Sequence, residues 1–176
     1  MKLKLILPER KIQKKVASLA RQIRRDFPQG ELLLIGILKG AFIFLADLAR
    51  HLSRPVEIDF VRLASYGAGQ HTSGKIRLQK DLETPIKGKH VLIVEDIVDT
   101  GITLRYLCSR LRARKPRSLK IVTLLDKPSR RRVDLTPDYV GFKIPDQFVV
   151  GYGLDWAEAY RHLRGIYALQ SAGDSN

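Results

Sequence analysis

From Pro8 to Phe27 the apolar residues Ile12, Val16, Leu19, Ala20 and Ile23 recur at the spacing of one helix face. Pro8 and Glu9 suit a first turn, and Asp26-Phe27-Pro28-Gln29-Gly30 reads as a stop and turn. Leu32–Ile37 is a continuous apolar run, the pattern of a strand covered on both faces. A second helix is predicted from about Gly40 to Leu52, with Phe42, Leu45, Ala46, Ala49 and Leu52 on its apolar side. Val56–Ala64 alternates apolar and polar residues at first, as a strand does, and leads into the loop Ser65–Gly74. Lys75–Gln79 is a candidate strand, and Val91–Val94 a buried one entered through Lys87-Gly88-Lys89. Leu104, Leu107, Cys108 and Leu111 mark a third helix, followed by a strand over Leu119–Leu125. Short strands are expected near Tyr139–Phe142 and Phe148–Val150, then a turn or helix around Trp156–Arg164. This alternation predicts an α/β fold with a mostly parallel sheet. At 176 residues the chain is expected to form one domain, 1–176, with a loose tail at Ser171–Asn176.

Composition narrows the class. Hydrophobic content of 44% and charged content of 28% are ordinary for a globular protein and exclude disorder, and glycine shows no collagen period. The apolar stretches Leu32–Leu38 and Ala41–Leu45 are broken by Lys39 and Asp47, far short of the ~20 residues of a membrane span. Met1–Leu7 alternates Lys with Leu and meets Pro8 before a secretory apolar run develops. One cysteine, Cys108, excludes a disulfide scaffold and a cysteine-rich zinc site. A cytoplasmic protein without membrane contact is expected. Thirty-two Lys+Arg against eighteen Asp+Glu give +14, which points to a polyanionic partner such as nucleic acid, a membrane surface or phosphorylated small molecules. The excess is dispersed, with Lys11, Lys14, Lys15, Arg21, Arg24 and Arg25 near the start and Arg110–Arg117 and Arg130–Arg132 later. Solvated helix faces are the plainer reading.

The chemistry concentrates in Val91–Thr103. A buried strand ends at Glu95 and Asp96, a short loop follows, and a helix begins. In open α/β sheets ligands gather outside the carboxyl ends of the strands. Asp99-Thr100-Gly101-Ile102-Thr103 offers two hydroxyls, a glycine and the free N–H groups of a helix start, which is a monophosphate cradle. Three acids beside a phosphate would repel it unless they face ribose hydroxyls, Mg²⁺ or a transferable proton. A polar turn with Asp99 as N-cap is the plainer alternative, but two further acids exceed what capping needs. No G-x-x-x-x-G-K-S/T is present, Gly67-Ala68-Gly69 lacks a third spaced glycine, and the four histidines show no metal-ligand spacing. Cys108, on an apolar helix face, is expected to be inert filling.

Val94–Thr103 resembles the phosphoribosyl-pyrophosphate motif of the type I phosphoribosyltransferases. Leu38-Lys39-Gly40, Leu125-Asp126-Lys127-Pro128 and Phe142–Asp155, with Ser65-Tyr66-Gly67 and Arg161, are similar to the bacterial hypoxanthine-guanine branch of that family, over about Leu33–Ile166. The resemblance implies the family's fold: a mostly parallel central sheet flanked by helices, with a small hood built from segments near both ends. It implies transfer of the ribose of phosphoribosyl pyrophosphate to a 6-oxopurine, with Mg²⁺ as cofactor. Asp99, Thr100, Gly101, Ile102 and Thr103 would hold the 5′-phosphate, and Glu95 and Asp96 the ribose hydroxyls and a metal. Asp99 would also handle the purine N7 proton. Lys39 and Gly40 would grip pyrophosphate, aided by Arg161, and the family often shows a cis peptide at the position of Leu38–Lys39.

By the same resemblance Phe148 would stack on the purine, Val149 would pair with it through main-chain groups, and Lys127 would donate to the 6-oxo oxygen. Asp155 would close that pocket and carry a second Mg²⁺. Ser65 and Tyr66 open a stretch that would act as a lid against water, although a Gly/Ser-rich stretch is also simply a flexible loop. Trp156 is as compatible with a pocket wall as with core packing. The family implies a homodimer or homotetramer. A rival on the same fold is a regulator that binds RNA, for which the +14 charge allows weak nonspecific contact; Lys39, Asp99 and Lys127 together favour the enzyme.

Overall fold

Parallel pairing of apolar strands sets the frame of the molecule. The computed structural model describes residues 2–65 and 76–170. Its elements are β1 (Lys2–Leu7), α1 (Glu9–Asp26), β2 (Leu32–Leu38), α2 (Phe42–Leu52), β3 (Glu57–Ser65), β4 (Ile76–Lys80), β5 (His90–Val98) and α3 (Ile102–Arg112). β6 (Ser118–Asp126), a 3₁₀ turn at Pro128–Arg130, β7 (Tyr139–Lys143), β8 (Val149–Val150) and β9 (Ile166–Gln170) complete them. A six-stranded sheet has the order β4-β3-β2-β5-β6-β7, parallel except for the antiparallel edge strand β4. The expected tail 171–176 and the loop beyond Ser65 lie outside the described residues.

Both faces of this sheet are covered, and strand alternation divides the core. Leu32 and Leu34 of β2 and Leu92 and Val94 of β5 join a cluster with Ile12, Val16 and Ile23 of α1 and Phe44, Leu48 and Leu52 of α2. Leu33, Ile35, Val91 and Ile93 point the other way, against Leu104, Leu107, Cys108 and Leu111 of α3. A second, antiparallel sheet, β1-β9-β8, joins both chain ends and stands as the expected hood; Leu7, Val149 and Ile166 tie it to the first cluster.

Two expectations need correction. The strands β1 and β9 lie outside the expected elements; the Lys-Leu alternation of β1 leaves Lys2–Leu5 exposed and gives no buried face to read. The turn expected over Trp156–Arg164 is present, with a Trp156–Ala159 bridge. The buried side of α2 is Phe44, Leu45, Asp47, Leu48 and Leu52, whereas Phe42 and Ala46 are exposed. Asp47 turns inward because it is satisfied there. Tyr152 Oη donates to Asp47 Oδ2 at 2.5 Å, Gln13 Nε2 donates at 2.7 Å, and Arg50 pairs with Oδ1.

Burial works to raise the Asp47 carboxyl, but the bonds from Tyr152, Gln13 and Arg50 outweigh it and hold the group below the usual carboxylate range. A depressed folded-state value stabilises the fold above the unfolded value and ceases to do so as pH falls through the folded one. Asp47→Ala should therefore cost about 1–3 kcal/mol at neutral pH by stranding buried donors. In denaturant melts the gap to wild type should narrow below about pH 4; a gap constant down to the acid limit would contradict the account.

Candidate active site

β5 delivers two acids to the carboxyl edge of the sheet through a break in its own pattern. Val94 and Ile97 both lie against the core under α1 and α2, so the alternation skips at Glu95-Asp96. Here the strand outruns the expected Val91–Val94 and continues to Val98. Beyond it a recess is lined by Glu95, Ile97, Val98, Asp99, Thr100, Gly101, Thr103 and Leu104. Gly101, at φ +80°, turns the chain into α3, a conformation that side chains with a Cβ adopt rarely. The first N–H groups of a helix have no acceptor within it, so Thr103 and Leu104 present donors to an anion. Ile102 contributes main chain, its side chain being exposed.

Asp99 does not cap α3; Gly101 occupies that position. Its Oδ1 accepts from Arg130 Nε at 2.7 Å, and its carbonyl from Arg131 Nη1 at 2.8 Å. The acid is thus turned toward a cation beside the recess, which removes the repulsion expected between it and a phosphate.

Glu95 and Asp96 form no salt bridge among the described residues, the charge of Arg161 acting on Asp96 without direct pairing. Burial pushes Glu95 well above the ordinary carboxylate range, and the neighbouring Asp96 charge adds to this. Burial also raises Asp96, against hydrogen bonds from Glu95 and from the Ile97 N–H. Asp96 lies against Gly40, where any Cβ would run into its carboxylate. Two adjacent, poorly compensated carboxylates are oxygen donors for a hard cation such as Mg²⁺. Among the described residues no three His, Cys, Asp or Glu side chains converge, so a bound ligand would supply the remaining oxygens.

The facing wall holds Lys39, Asp155 and Arg161. The Leu38–Lys39 peptide is cis, as the family pattern implied. Arg161 donates to the Gly153 carbonyl at 2.8 Å and pairs with Asp155 Oδ1 at 2.9 Å; Asp155 Oδ2 accepts the Glu158 N–H at 2.9 Å. Glu158, which the sequence reading missed, bonds Lys39 Nζ at 2.9 Å. That bond, with Arg161 adding to it, holds the Glu158 carboxyl below its ordinary range. In the sequence it showed only as an acid three positions before Arg161.

On the remaining side Lys127 is buried, its N–H bonded to the Val98 carbonyl at 2.9 Å and its ammonium 3.8 Å from Asp146 Oδ1. Asp146 also pairs with Arg130 Nη1 at 3.1 Å, which links Lys127 to Asp99. Neither Arg130 nor Asp146 was singled out from sequence, because charged loop residues have no periodicity to betray them. Phe148 and Trp156 meet edge to face, centroids 4.9 Å apart, and both remain largely exposed. Core packing is therefore not what holds Trp156. Val149 pairs with Ala168 while Leu169 N–H donates to the Phe148 carbonyl, so the ladder leaves the N–H and C=O of Val149 facing away from β9. The arrangement offers an anion cradle, a hard-cation site, a cationic wall, and a flat apolar face with main-chain donor, main-chain acceptor and ammonium beside it. Of the expected lid, Tyr66 lies outside the described residues and Ser65 is seen as the end of β3.

Residues 3–157 match the family model described as the phosphoribosyl transferase domain. The chain is 48% identical to the hypoxanthine-guanine phosphoribosyltransferase of Bacillus subtilis, over 96% of this chain and 94% of that protein. It is 50% identical to the hypoxanthine phosphoribosyltransferase of Salmonella typhimurium, over 90% of each. The crystal structure of a Bacillus anthracis hypoxanthine-guanine phosphoribosyltransferase superposes with a TM-score of 0.92 at 50% identity, covering 96% of this chain and 100% of that one. A Staphylococcus aureus hypoxanthine phosphoribosyltransferase gives 0.92 at 44% identity, over 98% and 94%.

The acid pair supplies a direct check. In a carboxyl titration followed by NMR, Glu95 should protonate well above ordinary glutamates, and Asp96→Asn should bring it down by removing the adjacent charge. A Glu95 carboxyl that titrates normally in the free protein would contradict the geometry described.

Proposed function

The chain belongs to the phosphoribosyl transferase family, and on that footing we propose that it is a purine salvage enzyme of the hypoxanthine-guanine branch. It joins hypoxanthine or guanine to the ribose of phosphoribosyl pyrophosphate, giving IMP or GMP and pyrophosphate. The observation that carries the assignment of roles is the position of Asp99, which lines the recess beside Thr100–Thr103 and is joined through Arg130 and Asp146 to buried Lys127. One side of this acid faces a phosphate cradle and the other a base pocket.

The purine N9 attacks C1′, the bond from C1′ to the pyrophosphate oxygen breaks, and the proton carried by the base passes from N7 to Asp99. Thr100–Thr103 hold the 5′-phosphate. Glu95 and Asp96 accept from the ribose hydroxyls and would hold Mg²⁺, with Asp155 as ligand on the pyrophosphate side. When bound, Mg²⁺ supplies positive charge against the leaving pyrophosphate. Lys39, Gly40 and Arg161 receive that leaving group. Phe148, with Trp156 at its edge, stacks on the base, and the open N–H and C=O of Val149 pair with it. Lys127 donates to the 6-oxo oxygen. Ser65 and Tyr66 begin the segment that excludes water.

The assembly we propose is a cytoplasmic homodimer or homotetramer of single-domain chains, acting on small molecules. No helix among the described residues is long and apolar enough to cross a membrane. The RNA-binding alternative finds no support among the named relatives, and the basic surface fits weak nonspecific contact at most.

Asp99→Asn should lower kcat by roughly 10²-fold or more with modest change in KM, the usual scale for a lost proton acceptor; near-normal turnover would remove Asp99 from its role. Lys127→Ala should cut kcat/KM for hypoxanthine and guanine by at least about tenfold, the loss of a charged hydrogen bond. Phosphoribosyl pyrophosphate binding should hold. Loss confined to phosphoribosyl pyrophosphate would instead place Lys127 on the other substrate.

A further inference from the structure

Glu158 occupies the cationic wall assigned above to pyrophosphate. Its Oε2 alone lies 2.9 Å from Lys39 Nζ and 3.4 Å from Arg161 Nη2, so one carboxylate oxygen bridges a cation from the end of β2 and another from the segment before β9. The side chain is 67% exposed and its carboxylate has no other partner among the described residues, so core packing does not explain where it points. The turn that aims it is an unusual one. Ala157, Glu158 and Tyr160 stand at φ +50°, +63° and +74°, left-handed conformations that non-glycine residues adopt at a cost. The Trp156–Ala159 bridge and the bond from Glu158 N–H to Asp155 close this turn. With Asp155 on Arg161 as well, two cations here face two carboxylates, and the wall is neutral before any ligand arrives.

Pyrophosphate carries several negative charges and needs the same two cations. Held beside the Glu158 carboxylate it would meet a like charge within a few ångströms. We propose that Glu158 is a built-in stand-in for pyrophosphate: it fills the anion position on Lys39 and Arg161 in the empty site and yields it when phosphoribosyl pyrophosphate or pyrophosphate loads. Its return competes with the product and speeds release. This rests on the reading of Lys39 and Arg161 as the pyrophosphate grip.

The test is a calorimetric titration of the full-length protein with inorganic pyrophosphate in the presence of Mg²⁺, with IMP as a second ligand. Glu158→Gln keeps the shape and removes the charge. Exposed ion pairs of this kind are weak, so freeing both cations should tighten pyrophosphate binding roughly two- to tenfold. IMP, held by the Thr100–Thr103 recess, should bind as in wild type. Glu158→Ala should tighten pyrophosphate binding in the same direction, and serves if the glutamine variant folds poorly. A residue that merely buttressed Lys39 would give the opposite sign, because its loss would loosen the grip. Unchanged or weaker pyrophosphate binding in both variants, with wild type binding normally, overturns the stand-in role alone. A wild-type protein that does not bind pyrophosphate overturns the assignment of Lys39 and Arg161, and this inference with it.

Discussion

Parallel pairing of β2, β5 and β6 brings the exits of three buried strands to one edge, and the rest of the site follows from that constraint. Lys39 follows β2, Glu95 and Asp96 lie near the end of β5 with Asp99 to Thr103 just beyond it, and Asp126 ends β6 with Lys127 following. The apolar ladders that force this convergence carry no chemistry themselves. They place cations and carboxylates from distant parts of the sequence within a few ångströms, at the edge where main chain and solvent meet. Charges gathered so closely cannot be left uncompensated without cost.

The compensation divides into two chains of ion pairs. Asp99, Arg130, Asp146 and Lys127 form one, on the side read as the base pocket; Lys39, Glu158, Arg161 and Asp155 form the other, on the side read as the pyrophosphate wall. Between them Glu95 and Asp96 have no salt bridge among the described residues, and burial raises both carboxyls. In this account substrate and metal replace internal partners: phosphate enters the recess at α3, a hard cation meets the free acid pair, and pyrophosphate takes over Lys39 and Arg161. Binding in such a site is an exchange of partners, so it asks less of desolvation than charging an apolar cavity would.

What could be read from the sequence was whatever repeats or clusters along it. The helix faces of α1 and α3, the double-sided burial of β2 and β5, and the acid-acid-x-x-D-T-G-x-T stretch are local patterns, and the structure places them as expected. The face of α2 differs from the expected one because Asp47 turns inward, and its partners Tyr152 and Gln13 are far away in sequence. β1 escaped because pairing with β9, rather than burial, makes it a strand, and the five residues of β9 are too short a pattern to stand out. Arg130, Asp146 and Glu158 escaped for a related reason. Each matters through a partner on another loop, and a single sequence without relatives contains no trace of such pairings.

The central claim is that this edge handles a 6-oxopurine and phosphoribosyl pyrophosphate together. Initial rates of nucleotide formation by the wild-type protein, with Mg²⁺ and phosphoribosyl pyrophosphate against hypoxanthine, guanine and adenine in turn, test it most directly. An ammonium offers donors and no acceptor, so Lys127 can meet a 6-oxo oxygen but leaves the 6-amino group of adenine facing a buried charge. The account predicts IMP and GMP as products, with adenine used at least about 10³-fold less well in kcat/KM. Adenine converted as readily as guanine, or no nucleotide formed from any of the three, would contradict it.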